Sequence, residues 1–135
     1  MLVRSLSRIQ LRAFSKLYSE THEWVEKENG NIYKFGISRK ALDQLGGVVF
    51  LEFPEIGKSF KRGDKIGEVE SPKAVSDVYS PADITVISNN DDLVDDISKI
   101  NELDELKWIS KIKIEQNMDG IGLVSEEEYL KSNSE

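Results

Sequence analysis

The residue of this chain best placed to do chemistry is Lys73. It stands in Glu70-Ser71-Pro72-Lys73-Ala74, which runs on as Val75-Ser76-Asp77-Val78-Tyr79-Ser80-Pro81. Short apolar and β-branched runs flank it at 66–69 and 75–79. That pattern predicts strand, turn, strand, with the lysine at the tip. An amine held out on a turn is open to a modifying enzyme and poorly placed to pack. The plain alternative is a solvated turn lysine. Glu70 and Asp77 are close enough in sequence to act as a general acid and base, but nothing in the pattern around them marks a substrate pocket.

The rest of the reactive inventory is thin. There is no cysteine, which excludes disulfides, thiolate metal sites and a cysteine nucleophile. With His22 the single histidine, a zinc or iron site would need all-carboxylate ligands. A Ser-His-Asp arrangement would have to use His22, and no Gly-x-Ser-x-Gly stretch accompanies it. The acidic pairs and runs at 91–92, 95–96, 104–105 and 126–128 lack the spacing of a calcium loop. They read as solvated helix faces and helix N-termini. These features argue against an enzyme with its own side-chain chemistry.

Several elements must position Lys73. Residues 23–28 and 31–37 flank Asn29-Gly30, which predicts a hairpin with a type I′ turn. Ser38 is an N-cap for a helix over 39–45, ended by Gly46-Gly47. Residues 48–53 form a strand stopped by Pro54, and 59–60 a short extended piece. Turns at 55–58 and 62–64 lead into strand 65–70, with strands at 75–79 and 84–88 beyond the tip. Leu93, Ile97 and Ile100 are spaced for one helix face. Residues 108–114 alternate as a strand. Ser125 with Glu128 makes a capping box for a helix over 126–131. Many short strands with close turns predict a mainly β barrel or sandwich with helices at its ends.

The 135 residues suffice for one domain with a modest core. No apolar run approaches the ~20 residues of a membrane span. Residues 1–14 carry Arg4, Arg8 and Arg12 and no acid, so removing these three from the formal −7 leaves −10 for residues 15–135. A body this acidic is a poor nucleic-acid binder. The charge suits solubility, and the two readings of it are steering towards basic partner surfaces and, more plainly, solubility alone.

The first fourteen residues read as an address. The arginines recur every four positions, and Leu2, Leu6, Ile9 and Ala13 make an apolar stripe. With Ser5, Ser7 and Ser15, this resembles a mitochondrial-type transit peptide cleaved after Phe14. Its brevity suits a hydrogenosome as well as a mitochondrial matrix. An ordinary amphipathic surface helix is the alternative. The expected organisation is therefore 1–14 targeting, 15–131 one domain and 132–135 a loose tail.

Four stretches together resemble the H protein family of the glycine cleavage system. They are Thr21-His22-Glu23-Trp24, Phe35-Gly36-Ile37-Ser38, residues 45–57 (Leu-Gly-Gly-Val-Val-Phe-Leu-Glu-Phe-Pro-Glu-Ile-Gly) and residues 70–81 around Lys73. The resemblance runs from about Tyr18 to Tyr129.

What it implies is a barrel-sandwich hybrid of two small antiparallel sheets, as in lipoyl and biotinyl domains. Lys73 matches the lysine that carries lipoate in amide linkage, with Glu70, Ser71 and Ala74 in the modification motif. Thr21, Glu23 and Asp77 match positions lining the cleft where the loaded, aminomethyl-bearing arm is parked. Two carboxylates there would favour a cationic amine. The implied role is carriage rather than catalysis. The partners would be the glycine decarboxylase (P-protein), the aminomethyltransferase (T-protein), dihydrolipoamide dehydrogenase (L-protein) and the lipoyl-attaching enzymes. Neither nucleic acid nor membrane is an expected partner.

Three departures from the family pattern stand out: Pro72 before the lysine, Ile84 after the tip strand, and Glu105-Leu106-Lys107 ahead of Trp108. Other readings stay open beside the shuttle. They are a lipoyl or biotinyl domain of a larger complex, an H-like relay of lipoyl groups to other organelle enzymes, and an unmodified interaction scaffold.

Overall fold

The computed structural model describes residues 16–133. The expected address at 1–14 lies outside them, as do residues 134–135 of the expected tail. The chain order is β1 (Lys16–Tyr18), β2 (Glu23–Asn29), β3 (Ile32–Ile37), α1 (Arg39–Leu45), β4 (Phe50–Glu52) and β5 (Ser59–Phe60). Next come β6 (Lys65–Ser71), β7 (Ala74–Tyr79), β8 (Ile84–Asn89), α2 (Asp91–Asp95) and a 3-10 turn (Ile97–Asn101). β9 (Ser110–Ile114), β10 (Val124–Ser125) and α3 (Glu126–Ser132) complete it.

These form a seven-stranded sheet, β10-β1-β2-β3-β9-β8-β5, and a three-stranded sheet, β4-β6-β7. All pairings are antiparallel. The mainly β fold of two antiparallel sheets with short helices is the one expected.

Alternation drives the packing. In β9, Ser110, Ile112 and Ile114 point inward and Lys111 and Lys113 outward, as a pleated strand with one buried face requires. Ile112 belongs to the same main core as Val25, Phe35, Val69 and Val86. Trp24 is 1% exposed and donates its indole N–H to the Ile37 carbonyl at 3.0 Å. It lies across Gly36, where a Cβ would come within 2.5 Å of the ring. The glycine of Phe35-Gly36-Ile37 is thus a packing requirement. Ile84 is buried opposite Ile114, so this departure from the family pattern adds core.

Several expectations need correction. The hairpin after β2 does not turn on Asn29-Gly30 as type I′. Asn29 pairs with Ile32 after a register shift, so Gly30 and Asn31 make the turn. Gly30 has φ 50° and no Asn is in the left-handed region among the described residues, which is the type II′ pattern. Leu93, Ile97 and Ile100 do not share one helix. Asp96 is extended, at φ −151°, and its side chain caps the following 3-10 turn through the Ser98 N–H. Leu93 and Ile100 are still buried, so the apolar spacing served two short turns. The strand expected over 48–53 is confined to β4, because the Val48 N–H bonds the Asn101 side chain at 2.9 Å instead of a strand. Strands β1 and β10 were not foreseen.

Candidate functional site

The pairing of β6 with β7 runs to Ser71 opposite Ala74 and leaves Pro72 and Lys73 as the turn. The Ser71 hydroxyl accepts from the Ala74 N–H at 3.2 Å and lies 3.3 Å from the Ala74 carbonyl oxygen, to which it donates. Neither turn residue has a positive φ. A primed turn is therefore absent, and proline, with φ fixed near −65°, suits the first central position of a type I turn. Pro72 is accommodated without strain. Lys73 is exposed. Its stem lies over Gly46, the left-handed cap of α1 with φ 76°. A Cβ on Gly46 would stand 3.1 Å from Lys73 Cε and 3.3 Å from Nζ. The glycine thus both ends the helix and leaves room for the lysine.

Beside this turn lies a cleft of about 300 Å³. Three parts of the chain build it. The turn before β2 brings Thr21, His22 and Glu23, α1 brings Ala41, Gln44 and Leu45, and β7 brings Ala74 to Val78. Ile37 and Val69 complete its wall. One side is apolar and the other carries acceptors.

Glu23 is 2% exposed. One carboxylate oxygen accepts from the Ser19 hydroxyl at 2.6 Å and from the Thr21 hydroxyl, and the other accepts from the Tyr79 N–H at 3.1 Å. Burial pushes its pKa up, and the hydrogen bonds oppose that rise. The carboxylate pins the β1–β2 turn to β7, so it shapes the cleft as well as lining it.

Asp77 is differently held. Its Oδ1 is 3.2 Å from Lys65 Nζ, and its Oδ2 accepts from the Tyr79 hydroxyl at 3.3 Å. It is exposed, on the same outward row as Glu68 and Glu52.

His22 is left-handed, with φ 74°. Its Nδ1 is 2.5 Å from the Tyr129 hydroxyl. That hydroxyl donates to Ser38 Oγ at 2.8 Å, and Ser38 Oγ also accepts from the Ala41 N–H. Tyr129 oxygen must then accept from Nδ1–H, which leaves Nε2 as the unprotonated nitrogen. Burial and, after it, the Lys40 charge lower the His22 pKa. The ring is thus neutral in the cleft wall at physiological pH.

Of the residues singled out in the sequence, Thr21, Glu23, Ala74 and Asp77 come together in this cleft. Glu70 does not. It sits on the outer face of β6, between Phe50 and Val75. Ser71 is buried as the fastener of the turn. Sequence reasoning set His22 aside and passed over Lys65 and the α1 residues. The signal for His22 was its place between Thr21 and Glu23. Lys65 carried none, because on a regular strand it and Glu68 would point to opposite faces, and the irregularity between Lys65 and Gly67 brings them together. The unusual Glu105-Leu106-Lys107 segment packs near α1, where Arg39 donates to the Glu102 carbonyl at 3.1 Å and the Glu105 carbonyl at 3.5 Å.

Comparison with known proteins agrees with this geometry. The family model described as glycine cleavage H-protein matches residues 16–135. The glycine cleavage system H protein of Listeria innocua is 42% identical over 116 residues, covering 85% of this chain and 92% of that protein. Its counterpart in Thermoanaerobacter pseudethanolicus is 40% identical over 114 residues, with 84% and 90% covered. The crystal structure of a glycine cleavage system H protein from Mycobacterium marinum superposes with a TM-score of 0.75 at 29% identity, covering 88% of this chain and 96% of that one. The match takes in both sheets and every wall of the cleft, and the chain belongs to the glycine cleavage H-protein family.

Proposed function

We propose that this chain is the lipoyl-bearing shuttle of a glycine cleavage system, a carrier rather than a catalyst, with lipoate in amide linkage to Lys73. The observation that carries the reading is an exposed lysine on a fastened turn, beside a cleft lined by acids, in a chain of this family. The cleft suits such an arm. Ile37, Ala41, Leu45, Val69 and Val78 offer an apolar wall to a hydrocarbon chain, and Thr21, His22, Glu23 and Asp77 offer acceptors to its far end. About 300 Å³ is the lower end of the range for small-molecule clefts, enough for one thin arm. Bound lipoate would supply the disulfide that takes up a one-carbon amine unit and the dithiol that is later reoxidised.

The chain's own residues hold and shield that arm. Ser71 keeps the tip rigid. Glu23, fixed by three side-chain and backbone donors, orients Thr21 and adds negative potential. Asp77 offers a charge-assisted contact to a cationic amine. The apolar wall keeps water from the labile carbon. Outside the cleft, the acidic body suits encounter with basic faces of the P-, T- and L-proteins and of the lipoyl-attaching enzymes.

Residues 1–14 are proposed as a mitochondrial-type address, for a mitochondrial matrix or a hydrogenosome. They are acid-free and amphipathic, and they precede the family match at 16–135. The carrier domain is then 15–131, with 132–135 a tail.

The test is the intact mass of the protein purified from its own cells, with peptide mapping across Lys73. One lipoyl group on Lys73, an N-terminus near Ser15, and uptake of a one-carbon unit from glycine with the decarboxylase are expected. An unmodified Lys73 overturns the reading and leaves an interaction scaffold. A lipoylated carrier that glycine does not load is a relay of lipoyl groups instead.

A further inference from the structure

The two acids of the cleft are held in opposite ways. Glu23 is buried, and both its oxygens are taken by neutral donors fixed to the framework. None of these donors is a charged side chain that an arriving ammonium could replace like for like. Asp77 is exposed, and the partner of its Oδ1 is a flexible ammonium, Lys65 Nζ at 3.2 Å. An arriving cation of the same kind can take that place.

Lys65 also has somewhere to go. Its Nζ is 3.3 Å from Glu68 Oε2. Glu68 stands directly between Asp77 on β7 and Glu52 on β4. The row thus holds three carboxylates, and among the described residues Lys65 is the cation in contact with two of them. A second cation on Asp77 leaves Lys65 paired with Glu68 and relieves the repulsion along the row. The Tyr79 hydroxyl keeps Asp77 Oδ2 in place throughout.

We propose that Lys65 is a stand-in cation, holding Asp77 while the arm on Lys73 is uncharged and yielding it to the cationic amine of a loaded arm, with Glu68 as its fallback. This rests on the shuttle reading. It gives the cleft a way to tell a loaded arm from an empty one. An uncharged arm cannot displace an ammonium from a carboxylate, whereas an amine-bearing arm can. Lys65 is then a positioning residue that sets how firmly cargo is parked.

The experiment uses lipoylated wild type, Lys65→Met, Lys65→Gln and Asp77→Asn, each checked by intact mass and loaded from glycine with the decarboxylase. Two readouts are taken. The first is the rate at which the loaded carrier loses its unit to water, a hydrolysis that yields the thiol, formaldehyde and ammonium, followed as ammonium released. Both Lys65 variants are expected to lose it about two- to fivefold more slowly than wild type, the size of one exposed ion pair. Asp77→Asn is expected to lose it faster. The second is the NMR signal of the Lys65 Cε group, which is expected to shift on loading in wild type and to stay still in Asp77→Asn. Loss at the wild-type rate or faster in both Lys65 variants overturns the exchange, as does an unmoved Lys65 signal. If wild type itself takes no unit from glycine, the shuttle reading fails and the exchange with it.

Discussion

Replacing Glu23 separates hydrogen bonding from charge in the wall of the cleft. In Glu23→Ala the Tyr79 N–H loses its acceptor, and an unpaired buried donor costs about 1–3 kcal/mol. One buried methylene adds about 0.8 kcal/mol. The Ser19 and Thr21 hydroxyls can turn to each other, 3.3 Å apart, so they add little. The expected loss is about 2–4 kcal/mol, a large share of the 5–15 kcal/mol of a typical domain. In Glu23→Gln the amide oxygen can still accept from Tyr79, and the two hydroxyls can rotate to accept from its NH₂. That variant should lie within about 1 kcal/mol of wild type at pH 7. Equilibrium urea unfolding, followed by the fluorescence of buried Trp24, reads both. The pH dependence adds a sign. Burial raises the Glu23 pKa, so the folded state favours the protonated acid. Its contribution is fully present below the ordinary glutamate value of about 4.3 and is lost as pH rises through the folded value. Stability of wild type relative to Glu23→Gln should therefore fall as pH is raised from about 4 towards 7. A cost for Glu23→Ala below about 1 kcal/mol, an equal cost for both variants, or a difference that grows with pH would refute this account.

Other outcomes follow from the same contacts. Gly36→Ala drives a methyl into the Trp24 ring and should cost about 1–3 kcal/mol by urea unfolding, whereas an unchanged midpoint would mean that Trp24 has room to move. His22 is held below the ordinary histidine range by burial and then by the Lys40 charge. Lys40→Met should raise its midpoint in an NMR titration, and a fixed midpoint would remove Lys40 from the explanation. Pro72→Ala should keep lipoyl attachment, because Ser71 and the β6–β7 ladder hold the turn. Loss of the lipoyl mass in that variant would show that the attaching enzyme reads the proline itself.

Much of this protein follows from short-range pattern. The strand, turn, strand around Lys73, the alternation of β9 and the Ser38 and Ser125 caps each depend on neighbours a few residues away. The four family stretches gave the resemblance and, with it, most of the cleft. Pattern could not decide which of two turns closes the first hairpin, because a one-residue register shift between Lys27 and Asn29 moves the turn to Gly30-Asn31. Nor could it find β1 and β10, three- and two-residue strands too short to show a pattern. β1 is held between β2 and β10, and among the described residues β10 pairs only with β1, where Leu17 meets Ser125 across the chain. The cleft itself is tertiary. Glu23 is a strand carboxylate in sequence, and only the closure of β7 over the β1–β2 turn buries it and supplies its third donor. His22 becomes a cleft residue because Tyr129, far along the chain, fixes its ring. The pairing of Lys65 with Asp77 needs the β6–β7 register. Local propensity chose where the chain turns and which side chains face inward. The contacts that set charge, burial and hydrogen bonding at the site join residues far apart in sequence, and these are made only when the sheets and α1 pack.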